Sequence, residues 1–124
     1  MTHPGGRESW VVLLHRGDED ALYEASAMAA AATSLGVSVT LVWFGAALEA
    51  LVDGRLEDSE TREASCAELL AAARETGLLR LLACSASAVS RRVEIETVRE
   101  KVDDIVGWPT AVSLIRAANK AFVW

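Results

Sequence analysis

Five short apolar runs divide the chain, and stretches with helical spacing separate them. "WVVLL", Trp10 to Leu14, is continuous, β-branched and aromatic, which predicts a buried strand. "VSVTLVWF", Val37 to Phe44, predicts the second strand. "LLRLLAC", Leu78 to Cys84, predicts the third, with Arg80 its one solvent-leaning residue. "VDDIV", Val102 to Val106, reads as a weaker fourth strand, and "KAFVW", Lys120 to Trp124, closes the chain as a fifth.

After the first strand, "HRGDED" turns the chain, and Asp18, Glu19 and Asp20 place negative charge where a helix dipole favours it. The helix that follows reaches about Leu35, with Ala21, Ala25, Met28, Ala32 and Leu35 on one apolar face and Gly36 at its C-cap. Gly45 opens a short helix through "AALEALV", which stops before the turn dipeptide Asp53-Gly54. Arg55 to Ser59 is polar and predicts a loop. Thr61 to Thr76 predicts a helix, since Cys66, Leu69, Leu70 and Ala73 follow i, i+3, i+4, i+7 and Gly77 ends the run. Short helices are expected over Ala86–Ser90 and Ile95–Glu100. Gly107, Trp108 and Pro109 start a last helix, whose core face is Leu114, Ile115 and Ala118. Strands alternating with helices imply parallel neighbours joined by crossovers. The expected architecture is a doubly wound three-layer α/β/α domain with a five-stranded parallel sheet.

Length and composition fit that picture. The 124 residues make one domain spanning 1–124, with 1–9 as a flexible polar tail. A domain of this size buries roughly two-thirds of its unfolded surface, so it needs no disulfide or metal to fold. The net charge of -6 and the lack of any basic stripe exclude nucleic acid as a partner. The N-terminus lacks the layout of a signal peptide, and no apolar run approaches the ~18 residues of a membrane span. Two cysteines without an export signal point to free thiols in a cytoplasmic setting. His3 and His15 cannot build a zinc site with them, because no pair has ligand spacing. No metal or cofactor is expected.

Ligands of such folds bind beyond the carboxyl ends of the strands. Three groups fall there: His15 after the first strand, Cys84 at the end of the third, and the Gly107-Trp108 turn after the fourth. Cys66 lies on the apolar face of its helix and reads as packing. Cys84 admits two readings, buried filler or working thiol. It ends its strand, and the small residues after it look like a helix start, whose unpaired N–H groups favour a thiolate. Arg91 and Arg92 add positive charge if the segment folds back. Familiar thiol designs are absent: there is no C-x-x-C, and six residues separate Cys84 from Arg91 where phosphatase and rhodanese loops use five. No G-x-G-x-x-G or G-x-x-x-x-G-K-[ST] occurs, so nucleotide binding has no support. The four tryptophans, Trp10, Trp43, Trp108 and Trp124, predict filled core or a subunit interface.

In the order of its blocks the chain resembles the DsrE/DsrF/DsrH-like family of small sulfur-relay proteins. "HRGDEDALYEASAMAAAATSLGVSVTLVWFGAALEAL", then "LLACSASAVSRRV", then "VGWPTAVSLIRAANKAFVW" carry the likeness over nearly the whole length. Val93 departs from it, standing where a glycine is common. The resemblance implies a DsrEFH-like five-stranded parallel sheet between helices. It also implies that Cys84 accepts sulfane sulfur as a persulfide and relays it between a donor and an acceptor protein. His15, Arg91, Arg92, Gly107 and Trp108 are the expected binding residues around it. Two functions follow as expectations. One is a sulfur carrier or sulfurtransferase; the other is a non-catalytic module binding a protein or small ligand at the same strand ends. Either is expected to be a homo-oligomer.

Overall fold

The apolar runs are parallel strands in the computed structural model, which describes residues 8–58 and 64–124. They are β1 (Ser9–Leu14), β2 (Ser38–Trp43), β3 (Leu79–Cys84), β4 (Asp104–Val106) and β5 (Lys120–Val123), in the order β4-β3-β2-β1-β5. The three inner strands bury both faces, which is why their sequences are continuously apolar. The edge strands β4 and β5 are shorter and more polar, as strands with one unpaired side tolerate. Between the strands run α1 (Glu19–Ser34), α2 (Gly45–Val52), α3 (Cys66–Glu75), α4 (Ser85–Ser90), α5 (Ile95–Lys101) and α6 (Trp108–Ala117).

Several local boundaries differ from the sequence expectation. Helix α3 begins at Cys66 and not at Thr61, because Ser65 and Glu68 form a capping box. The Ser65 hydroxyl accepts from the Glu68 N–H at 3.1 Å, and the Glu68 carboxylate accepts from the Ser65 N–H at 3.2 Å. Residues 61–63, part of the expected helix, lie outside the described residues. The inward face of α1 is Ala21, Leu22, Ala25, Ala29 and Ala32. Met28 packs only at its margin, and Leu35 is 83% exposed because it caps the helix instead of continuing it. The polar stretch from Arg55 contains a single 3-10 turn, Arg55–Glu57, that buries Leu56. β4 is shorter than "VDDIV", since Val102 caps α5 and the Asp103 carboxylate accepts from the Leu81 N–H at 2.7 Å and from Arg74 at 3.1 Å. β1 starts at Ser9, within the stretch expected as a tail, while residues 1–7 lie outside the described residues.

The two faces of the sheet are covered unequally. One apolar cluster joins the sheet to α1 through Ala21 and Ala25, α2 through Leu48, α3 through Leu70, α4 through Ala88 and α5 through Val98. The other joins Val11, Leu13, Val42, Phe44, Leu82, Cys84 and Val106 to Ala111 of α6. The reason is topological. From β1 to β4 the chain steps across the sheet in one direction, and right-handed crossovers keep every connection on one face. The return from β4 to β5 runs in the opposite sense, so α6 must cross the other face. Among the described residues, the third layer is one helix.

Candidate functional site

That reversal sets a fork at the carboxyl ends of the strands. β3 leads into α4 on the first face, whereas β4 leads into α6 on the other. The carboxyl ends of two adjacent strands therefore part at Cys84 and Val106, which is a topological switch point.

The strand register aligns the residues that meet there. Leu14 pairs with Trp43, Trp43 with Ala83, and Ala83 with Ile105. One residue further on, the sheet ends in the row His15, Phe44, Cys84 and Val106. Alternation along each strand puts this row on the α6 face, in line with Leu13, Val42 and Leu82. The His15 ring stacks on Phe44 with centroids 4.6 Å apart and planes at 11°. Phe44 stacks in turn with Trp108 at 4.8 Å and 28°. These spacings match the distance between neighbouring strands, about 4.8 Å. With His15 on the β1 side of Phe44, the ring face left for Trp108 is the one toward β3, the strand that ends in Cys84.

The start of α6 is built for this contact. Pro109 occupies its first turn, where its missing N–H costs nothing. Trp108 lies one turn before Ala111, which is 1% exposed against the sheet, so both belong to the inward stripe. Gly107 stands beside α4, with room for a side chain: a Cβ there would lie 3.9 Å from Ser85 Oγ, an ordinary contact. Cys84 itself is 2% exposed, and Trp108 is 47% exposed. A cleft of about 510 Å³ is lined by Ser85, Ile95, Arg99 and Ile105, among others.

Loops from distant parts of the chain lock together behind the row. The Gly45 N–H donates to Ser87 Oγ at 3.0 Å, and the Ala47 N–H donates to the His15 carbonyl at 3.1 Å. Both amides belong to the first turn of α2, which has no side-chain cap of its own. The Arg91 guanidinium pairs with Glu49 at 2.6 Å and lies beside Gly45, where a Cβ would come within 3.3 Å of its Nη2. Arg91 is thus brought to the strand ends but spends its charge on Glu49. Arg92 is exposed and has φ 54°, the left-handed conformation that ends α4. At the β1 end, Asp18 caps α1 by accepting from the Ala21 N–H, and Arg16 pairs with it at 2.8 Å. The Arg16 hydrogen bond holds the Asp18 carboxyl below the usual carboxylate range.

Of the residues singled out from sequence, His15, Cys84, Gly107 and Trp108 share one end of the sheet. Phe44, Glu49 and Ser87 were missed. Phe44 carried a signal, an aromatic ending a strand two residues after the inward Val42, but it read as strand filler without a register. Cys66 belongs to the cluster on the opposite face from Cys84, so the sheet separates the two cysteines.

A parallel α/β sheet with its switch point at a strand-terminal cysteine defines the class. The chain belongs to the DsrE/DsrF-like family, whose model matches residues 10–123. A conserved protein of unknown function from Bacteroides thetaiotaomicron shares the fold with a TM-score of 0.71 at 11% identity, over 94% of this chain and 95% of that one. A protein of unknown function from Methanobacterium thermoautotrophicum does so with a TM-score of 0.66 at 14% identity, over 93% and 96%. No curated protein matches the sequence. Among the described residues, no helix is long and apolar enough to cross a membrane.

Proposed function

We propose that the protein is a sulfur carrier or sulfurtransferase of the DsrE type that holds sulfane sulfur as a persulfide on Cys84. The observation that carries this reading is the position of Cys84: last residue of β3, at the switch point, in a chain of the DsrE/DsrF-like family. The Cys84 thiolate attacks the outer sulfur of a donor persulfide, R–S–SH. The donor S–S bond breaks, R–S⁻ leaves with the electron pair, and Cys84–S–SH remains. A thiolate on an acceptor protein takes the outer sulfur by the same exchange and regenerates the Cys84 thiolate. No oxidant or metal enters either step.

The separation of the thiols supports a carrier. With Cys66 behind the sheet, a Cys84 persulfide has no intramolecular thiol to resolve it, so its sulfur leaves to another protein. His15 stands two strands from Cys84, roughly 10 Å away across the sheet, and serves as wall, not as its base. Gly107 and Trp108 form the opposite wall; Arg91 is held by Glu49, and Arg92, exposed at the end of α4, offers positive charge to a reactant. The thinly covered α6 face supports a homo-oligomer, and two cysteines that the sheet keeps apart suit a reducing, cytoplasmic location.

The second reading, a non-catalytic binding module, draws on one observation: Cys84 is 2% exposed. Incubating the reduced protein with a sulfane donor and mapping peptides by mass spectrometry separates the two. The carrier gains one sulfur atom on the Cys84 peptide; an unmodified Cys84 leaves the binding module.

A further inference from the structure

The geometry points to Trp108 as the gate of Cys84: the indole closes the thiol off from solvent and must swing away from Phe44 for any reactant to reach it. The gate takes its purpose from the sulfur-carrier reading, but its test reads access alone. Cys84 stands in the row His15, Phe44, Cys84, Val106, packed in one cluster with Ala111 of α6, and it is 2% exposed. Of the side chains grouped there, Phe44, Val106 and Ala111 are 2%, 8% and 1% exposed and cannot move without repacking the α6 face. Trp108 differs from them. It is 47% exposed, it belongs to the first turn of its helix, and its ring contact is the stack on Phe44 at 4.8 Å.

The residues before it allow the motion. Gly107 stands between Val106, the register partner of Cys84, and the indole, so a rotation of Trp108 leaves β4 and the inward Ala111 in place. Once it turns outward, the Phe44 ring it stacked on is left bare beside the end of β3, where Cys84 stands.

The test is native-state alkylation of the reduced protein with iodoacetamide, reading the Cys84 and Cys66 peptides separately by mass spectrometry. In the wild type Cys84 should react slowly. Trp108→Ala should accelerate Cys84 at least tenfold while Cys66 changes less than twofold, and Trp108→Phe, which keeps a ring for the stack, should stay near the wild type. An unchanged Cys84 rate in Trp108→Ala overturns the gate. So does a parallel rise at both cysteines, which signals general loosening. If circular dichroism shows the alanine variant unfolded, Trp108→Leu makes the same comparison with apolar bulk but no stack. Sulfur uptake is followed in parallel: fast alkylation of Cys84 in Trp108→Ala, with no sulfur gained by any variant, sinks the carrier reading and upholds the gate.

Discussion

Cys84 and Val106 lie opposite one another in the register of β3 and β4, and the chain leaves them toward opposite faces of the sheet. Everything placed at this end follows from that divergence. α4 carries Ser87 and Arg91 back over α2, while α6 brings Trp108 onto Phe44. The thiol stands at the fork.

Cys66→Ala is expected to leave Cys84 persulfide formation unchanged and to cost about 1–2 kcal/mol of stability through lost packing. Cys66 is buried in the cluster opposite Cys84. Urea denaturation gives the cost, and peptide mass spectrometry gives the sulfur. Loss of sulfur uptake with the fold intact would assign the chemistry to the wrong cysteine.

Gly17→Ala should destabilise the protein by about 1–3 kcal/mol through overpacking. A Cβ at Gly17 would meet the Ala46 carbonyl oxygen at 2.5 Å, and that contact is backbone, which cannot rotate away. The affected joint links the β1 loop to α2, directly behind His15. Chemical denaturation measures the loss; a change under half a kilocalorie would mean that the joint is loose.

Asp18 gives the stability a defined acid dependence. Its carboxyl is held below the ordinary range, first by the Arg16 hydrogen bond. A depressed folded pKa contributes stability above the unfolded value of about 3.9 and loses it as the pH falls through the folded value. Asp18→Asn keeps an N-cap side chain but removes the charge. The variant should melt below the wild type at neutral pH, with the difference closing as the pH falls from about 5 to about 2. Thermal melts across that range test it, and a pH-independent difference would assign the effect to capping alone. Added salt should shrink the gap, since the pair is exposed.

The α6 face predicts self-association. Trp108, Val112 and Val123 are large apolar side chains left exposed on or beside the single helix of that layer. With a mean hydropathy of +0.24, the 13.3 kDa chain should give a light-scattering mass at least twice that value at micromolar concentration. A clean monomer would mean that the lone helix suffices as cover.

Much of this molecule is written locally. Three of the five apolar runs became the inner strands because continuous burial on both faces leaves little room for polar residues, and the two shorter, more polar runs became the edges. Gly36, Gly77 and Pro109 punctuated helices as their backbone preferences require. That Cys84 ends a strand and precedes a helix was legible for the same reason. Even the capping box of Ser65 and Glu68 was present in the residues, although the apolar spacing drew the expected helix start five residues ahead of Cys66. The sequence by itself thus determined the elements, their parallel class and the cysteine at a strand end. What it left open is everything that depends on which strands are neighbours. Period-two alternation says that Val42 and Phe44 share a face, but nothing local says that His15 and Cys84 flank them. Glu49 and Arg91 are 42 residues apart, and their pairing exists only once α2 and α4 meet. The strand order β4-β3-β2-β1-β5 decided the switch point, the stack of His15, Phe44 and Trp108, and the burial of Cys84 on the α6 face, because pairing register is a contact between distant segments that no run of consecutive residues encodes.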